Sequence, residues 1–202
     1  MLVLALLLVS SPLMAQAVSL GLRAGVPITP MLTADGRQQA SATRYTIGPL
    51  IEVHLWHGAG FGADFLLHHA GLAISPAGSR RAGVWRWEMP MTFIYRFGAP
   101  ARPFVRTGVS LNRVFGISGA TECARGPFGE QFYCLEGSSL AELRHRGTSG
   151  FVVGGGVRFK FKRLWLEPEV RLTRWVDRNF GVRDSAVRSN LNQIGLLAGV
   201  VF

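Results

Sequence analysis

The stretch Val84–Phe97 reads VWRWEMPMTFIYRF, and its alternation decides the fold. Trp85, Trp87, Met89, Met91, Phe93, Tyr95 and Phe97 make one apolar side, and Arg86, Glu88, Pro90, Thr92 and Arg96 make the other. Along a strand, successive side chains point to opposite faces. One oily face and one charged face over this length describe the wall of a closed barrel, apolar outside and polar inside.

Working outward, the same period recurs. Asn192–Phe202, NQIGLLAGVVF, puts Ile194, Leu196, Ala198, Val200 and Phe202 on one face. Val18–Ile28, Tyr45–Leu55, Phe61–Ala70, Pro103–Asn112, Gly150–Phe161 and Leu164–Arg174 complete a set of eight segments. Each is about ten residues, the length of a tilted strand across the hydrocarbon layer. The connections alternate. Trp56–Gly60, Gly98–Arg102 and Lys162-Arg163 are short, whereas Thr29–Arg44, Gly71–Gly83, Arg113–Ser149 and Trp175–Asn190 are long. Short periplasmic turns and long external loops are the habit of outer-membrane barrels. The expected fold is therefore all-β: an eight-stranded antiparallel up-and-down transmembrane β-barrel over residues 18–202, with both ends on the periplasmic side. Pro49, Pro90 and Pro168 fall inside strands, where a residue without an N–H weakens the ladder. Bulges or lost pairing are expected there.

Bulk properties agree. Of 202 residues, 48% are hydrophobic and mean hydropathy is +0.23. No stretch after Ala17 reaches the roughly 20 apolar residues of a spanning helix. Residues 1–17, MLVLALLLVSSPLMAQA, read as a signal peptide: an apolar run Leu2–Val9 and a small-x-small cleavage site at Ala15-Gln16-Ala17. No Lys or Arg precedes the run, so a start codon placed too late or a weak signal are both open readings. The net charge is +10, and all the bases but Lys160 and Lys162 are arginines. A basic chain often marks a nucleic-acid binder. Export removes that partner, and anionic lipid head groups or glycolipids take its place. Cys123 and Cys134, paired at short spacing in an exported chain, are expected to form a disulfide, with two free thiols as the alternative.

The chain resembles the small outer-membrane β-barrel domain family, whose best-known relatives include the transmembrane domain of outer-membrane protein A. The resemblance is carried by the signal segment, Trp85–Phe97, Arg102–Asn112 (RPFVRTGVSLN), Leu166–Trp175 (LEPEVRLTRW) and the terminal strand ending on Phe202. It implies residence in the outer membrane. It also implies that Phe202 occupies the place of an aromatic signal read by the outer-membrane assembly machinery.

The strongest polar feature is the inward set: Arg23, Glu52, Asp64, Arg86, Glu88, Arg96, Arg106, Arg158, Lys160, Glu167, Glu169 and Arg171. An eight-stranded barrel has an interior that side chains can fill, and buried charges must pair. The expectation is an ion-paired plug; a narrow gated ion path is the other reading. His54 and Asp64 are expected to face each other, with His68 on the same inward face. These are too few ligands for a stable metal site, so no metal and no cofactor is expected. Lipid A deacylases of similar size carry a His-x-Ser pair near the chain end; here the stretch is Arg188-Ser189-Asn190, without a histidine. Palmitoyl-transferring barrels use a loop His with Ser and Asp; His145 with Ser138, Ser139 and Ser149 is the sole counterpart. Solvated loop polarity is the simpler account, and no enzyme activity is expected.

External arginines at 37, 44, 80, 81, 125, 144, 146, 178, 183 and 188 suit phosphorylated glycolipid, against a bland reading as solvated loop charge. Trp85, Trp87 and Tyr45 are expected in an interfacial aromatic girdle, with Trp165 and Trp175 as further candidates. The expected role is structural or surface-interacting, in a monomeric barrel with a plugged lumen. A small porin-like channel and a lipid A-modifying enzyme are the alternatives.

Overall fold

Thirteen strands form in the computed structural model, which describes residues 18–34, 40–74, 80–98, 101–125, 132–137, 143–180 and 187–202. They are β1 (Val18–Pro27), β2 (Leu32–Ala34), β3 (Ala40–His54), β4 (Ala59–Asp64), β5 (Leu66–Ile74), β6 (Arg80–Arg96), β7 (Pro103–Arg125), β8 (Phe132–Gly137), β9 (Gly147–Val157), β10 (Phe159–Phe161), β11 (Leu164–Trp175), β12 (Val187–Ser189) and β13 (Asn192–Val201). The expected signal segment lies outside the described residues.

Every barrel pairing is antiparallel, and β1 pairs both β3 and β13, which closes the sheet on itself. Two of the eight walls are made of two pieces each, β4 with β5 and β9 with β10. Both breaks trace to proline. Phe65, between β4 and β5, donates its N–H to the Pro49 carbonyl at 2.9 Å, but Pro49 has no N–H to return. On the other side of that wall, the common register of β6 with β4 and β5 sets Pro90 opposite Asp64. The break at Arg158 falls beside the Val157 position that faces Pro168 when the β11 register is continued.

The sequence expectation of long external loops needs correction. β7 continues to Arg125 and pairs with β8, and β5 and β6 run on to Ile74 and from Arg80. Of the expected loop positions, 71–74, 80–83, 113–125, 132–137 and 147–149 are therefore strand. The polar–apolar alternation fades near Asn112 because the inward residues there change from polar to apolar. Val84 and Val114 are inward and buried, in a small hydrophobic core with Met31, Ala70 and Phe180. Ile117 and Leu143 pack against it. A separate two-stranded sheet, β2 with β12, lies over the same end. An apolar cap thus covers this end of the barrel, the one the sequence reading expects to be external.

On the outside, Leu20, Leu22, Ile47, Ile51, Phe61, Phe93, Val105, Phe151, Val153 and Val170 are exposed, forming the oily belt. Tyr45 stacks on His69 (5.4 Å between centroids), which meets Trp85 at 4.6 Å, and Phe65 stacks on Trp87 at 5.9 Å. The expected Tyr45, Trp85 and Trp87 lie together on this face, near the external end.

Candidate functional site

Among the described residues, the lumen holds six buried guanidiniums (Arg23, Arg86, Arg96, Arg106, Arg158, Arg171) and five buried carboxylates (Glu52, Asp64, Glu88, Glu167, Glu169). Period-two geometry on seven walls aims them at one axis. Toward the end opposite the cap, expected to be periplasmic, Glu52 accepts from Arg96, from Arg158 Nη1 at 3.0 Å and from Arg106 Nη2 at 3.5 Å. Glu167 lies 3.2 Å from both Arg158 Nη1 and Arg23 Nη2. At mid-height, Asp64 Oδ2 accepts from Arg23 Nη1 at 2.6 Å and Arg171 Nη2 at 2.7 Å. Glu169 accepts from Arg171 Nε at 2.7 Å and faces Arg106 Nε at 3.2 Å.

The external layer is separate in composition. Glu88 accepts from Ser110 Oγ at 2.9 Å and faces His68 Nε2 at 2.9 Å and Arg86 Nη2 at 3.5 Å. Arg86 also donates to Gln193 Oε1 at 3.0 Å and stacks over the Trp175 ring at 5.1 Å. Between this layer and the cap residue Met31 lies a small cavity of about 50 Å3, also lined by Leu66, Leu197, His68 and Arg171. Burying one unpaired charge costs several kcal/mol, so each pair counts chiefly as the avoidance of an orphan.

Three expectations require correction. Lys160 does not join the network: it is exposed, on β10 past the last buried pair, 5.9 Å from the Trp165 ring. His54 does not face Asp64. Its register partner is Gly60, and its ring bonds Ser19 Oγ at 2.8 Å and Arg96 Nη1 at 3.3 Å. Trp175 is no girdle residue, since it is 4% exposed. Trp165 and Trp175 share the inward parity of Glu167, Glu169, Arg171 and Thr173. One strand therefore sets an indole toward each mouth of the lumen. Counting parity past Arg174 and before Leu166 would have found both.

Elsewhere, Cys123 and Cys134 stand directly opposite in the β7–β8 register. His145 Nε2 lies 3.5 Å from Asp177 Oδ2, both about half exposed. Ser138 and Ser139 lie outside the described residues, as do Arg37 and Arg183. Arg144, Arg146, Arg178 and Arg188 are exposed, as are Arg113 and Arg174, which the sequence reading did not place at the external rim. Phe202 is exposed and its N–H donates to the Leu20 carbonyl at 2.9 Å. Among the described residues no group of three or more His, Cys, Asp or Glu could hold a metal ion.

A closed eight-stranded antiparallel barrel with an oily exterior and a charged interior defines the fold of the small outer-membrane β-barrels. No protein-family model and no curated protein matches this chain. Among solved structures it is similar to Neisserial surface protein A, at 16% identity over 91% of this chain and 94% of that one, with a TM-score of 0.52. It is also similar to the outer membrane protein OprG of Pseudomonas aeruginosa, at 12% identity over 92% and 94%, with a TM-score of 0.52. At these identities the likeness speaks for the fold.

Proposed function

We propose that this chain is an integral outer-membrane barrel with a structural or surface-interaction role, exported by a cleaved signal peptide and closed to solutes. The observation that carries the reading is the chain of buried pairs from Arg96–Glu52 through Arg23–Asp64 to Arg171–Glu169, stacked beneath the Met31–Phe180 cap. Side chains fill an interior of this size, and a lumen crossed by ion pairs offers ions no continuous water column. Purified protein in planar bilayers is expected to give no steady single-channel steps. Regular, large steps from the wild type would support the porin-like reading instead.

The exposed Arg144, Arg146, Arg178 and Arg188 support contact with phosphate groups of outer-leaflet glycolipid. The Cys123↔Cys134 register supports a disulfide in the external hairpin. Directly opposed strand residues have Cα separations of about 4.5–5.5 Å, within the range that disulfides span. A loop this short is stabilised by about 3 kcal/mol. Alkylation of exported, unreduced protein is expected to label neither thiol; labelling of both would exclude the bridge.

A further inference from the structure

The periplasmic mouth and the outer face beside it form one surface with a charged part and an oily part. His54, His57, Arg96, Arg102, Arg158 and Trp165 line the mouth around an open hollow of about 620 Å3. Among the described residues no Asp or Glu side chain lines it. Glu52 and Glu167 lie beneath and are shared with Arg23 and Arg106 as well. Buried Arg96 Nε and Arg158 Nε have no hydrogen-bond partner among the described residues. Arg102 and Arg158 lie over the Trp165 ring, their Cζ atoms 4.8 and 5.1 Å from its centroid.

The frame is made by backbone. Arg96 N donates to Gly58 O at 2.8 Å, Phe97 N to Pro103 O at 2.8 Å and Arg158 N to Arg102 O at 3.1 Å. The turn residues His57, Gly58 and Arg102 hold positive φ, at 53°, 83° and 35°. Gly58 suits this conformation because it has no side chain.

The lining continues outward over Leu55, Tyr95 and Phe97, all exposed on the oily face. Higher on the same walls, Ile51, Phe61, Ala63, Met91, Phe93 and Val109 line an open apolar groove of about 460 Å3. The two parts are continuous, because Tyr95, Phe93 and Met91 are successive outward positions on β6, opposite Ala59, Phe61 and Ala63. Four residues of strand run about 13 Å, which a tilt of about 40° turns into about 10 Å along the membrane normal, against roughly 15 Å for one leaflet's share of the hydrocarbon layer.

We propose that this surface binds an anionic phospholipid of the periplasmic leaflet, its phosphate in the arginine mouth and one acyl chain in the groove. Guanidinium forks match phosphate oxygens, and the groove supplies what a soluble phosphate ester has no use for. The proposal rests on the membrane reading above.

The test uses the full barrel in nanodiscs of equal phosphatidylglycerol and phosphatidylethanolamine, released and weighed by native mass spectrometry. Phosphatidylglycerol is expected to be retained preferentially. Arg102→Gln, at an exposed turn, is expected to lower that retention about fivefold, the usual worth of one basic residue near a charged surface. Ala63→Trp, which fills the groove from the lipid side, is expected to lower retention while heat-modifiable gel mobility stays that of the wild type. Equal retention of both lipids would overturn the proposal and leave ordinary annular lipid. Full displacement by soluble glycerol phosphate, with Ala63→Trp behaving as wild type, would reduce the site to a phosphate pocket and overturn it too. Protein that never enters the bilayer would instead remove the membrane reading on which it rests.

Discussion

Replacing Glu167 and Glu169 together by alanine is expected to destabilise the barrel by about 5 kcal/mol or more. The two carboxylates contact Arg158, Arg23, Arg106 and Arg171 at 2.7–3.3 Å, apart from the 3.8 Å contact of Glu167 with Arg106. Without them, six buried guanidiniums face Glu52, Asp64 and Glu88 alone. The magnitude follows from stranding charge in a dry interior, where removing one partner costs far more than the pair contributes. Glutamine at both positions keeps the shape and some hydrogen bonding, so that variant should fall between. Urea unfolding of detergent-refolded protein, followed by heat-modifiable mobility, reads the effect. An alanine pair as stable as the wild type would mean that water already hydrates these arginines and that the lumen is not dry.

Phe180→Ala is expected to undo the external cap while leaving the barrel closed. Phe180 is 1% exposed among Met31, Ala70, Val84 and Val114. Its N–H donates to Ser189 Oγ at 2.9 Å, and its carbonyl accepts from Ser189 N at 3.0 Å. Truncating a buried phenylalanine costs about 3–5 kcal/mol, which a cap this small has little means to absorb. Amide hydrogen exchange should accelerate at Leu143–Gly147 and Val187–Ser189 and stay unchanged in β11 and β13. Conductance should remain absent, because the Glu52, Asp64 and Glu169 layers do not depend on the cap. Unchanged exchange at Ser189 would show that the cap does not rely on this ring.

The barrel was legible in the sequence because lipid outside and charge inside impose the same period on every wall. Glu52, Glu88, Glu167, Glu169 and the arginines facing them fell inward by parity alone. What the sequence hid lies where that contrast fades. Beyond Asn112 the inward side chains become apolar for the cap, so continuing strand looked like loop. Trp165 and Trp175 looked like interfacial anchors, because an indole suits either a membrane surface or a guanidinium stack. Lys160 kept the right parity and lost its role, since the lumen had already opened to water at that height. The arginine-lined mouth needed Arg96, Arg102 and Arg158 brought together from three separate segments, which spacing does not reveal.

The distribution of charge among the walls bears on how such a chain can enter a bilayer at all. β1 brings Arg23 alone, β3 brings Glu52, β4 brings Asp64 and β7 brings Arg106, while β11 brings two carboxylates and one arginine. Arg23, on the first wall, finds its partners on β4 and β11. A hairpin inserted early would drag unmatched charge into hydrocarbon, at several kcal/mol for each group. Insertion therefore has to wait until the first and penultimate walls are close enough to neutralise one another. Assembly becomes a concerted event late in biogenesis, and half-inserted species are kept scarce by their own electrostatics.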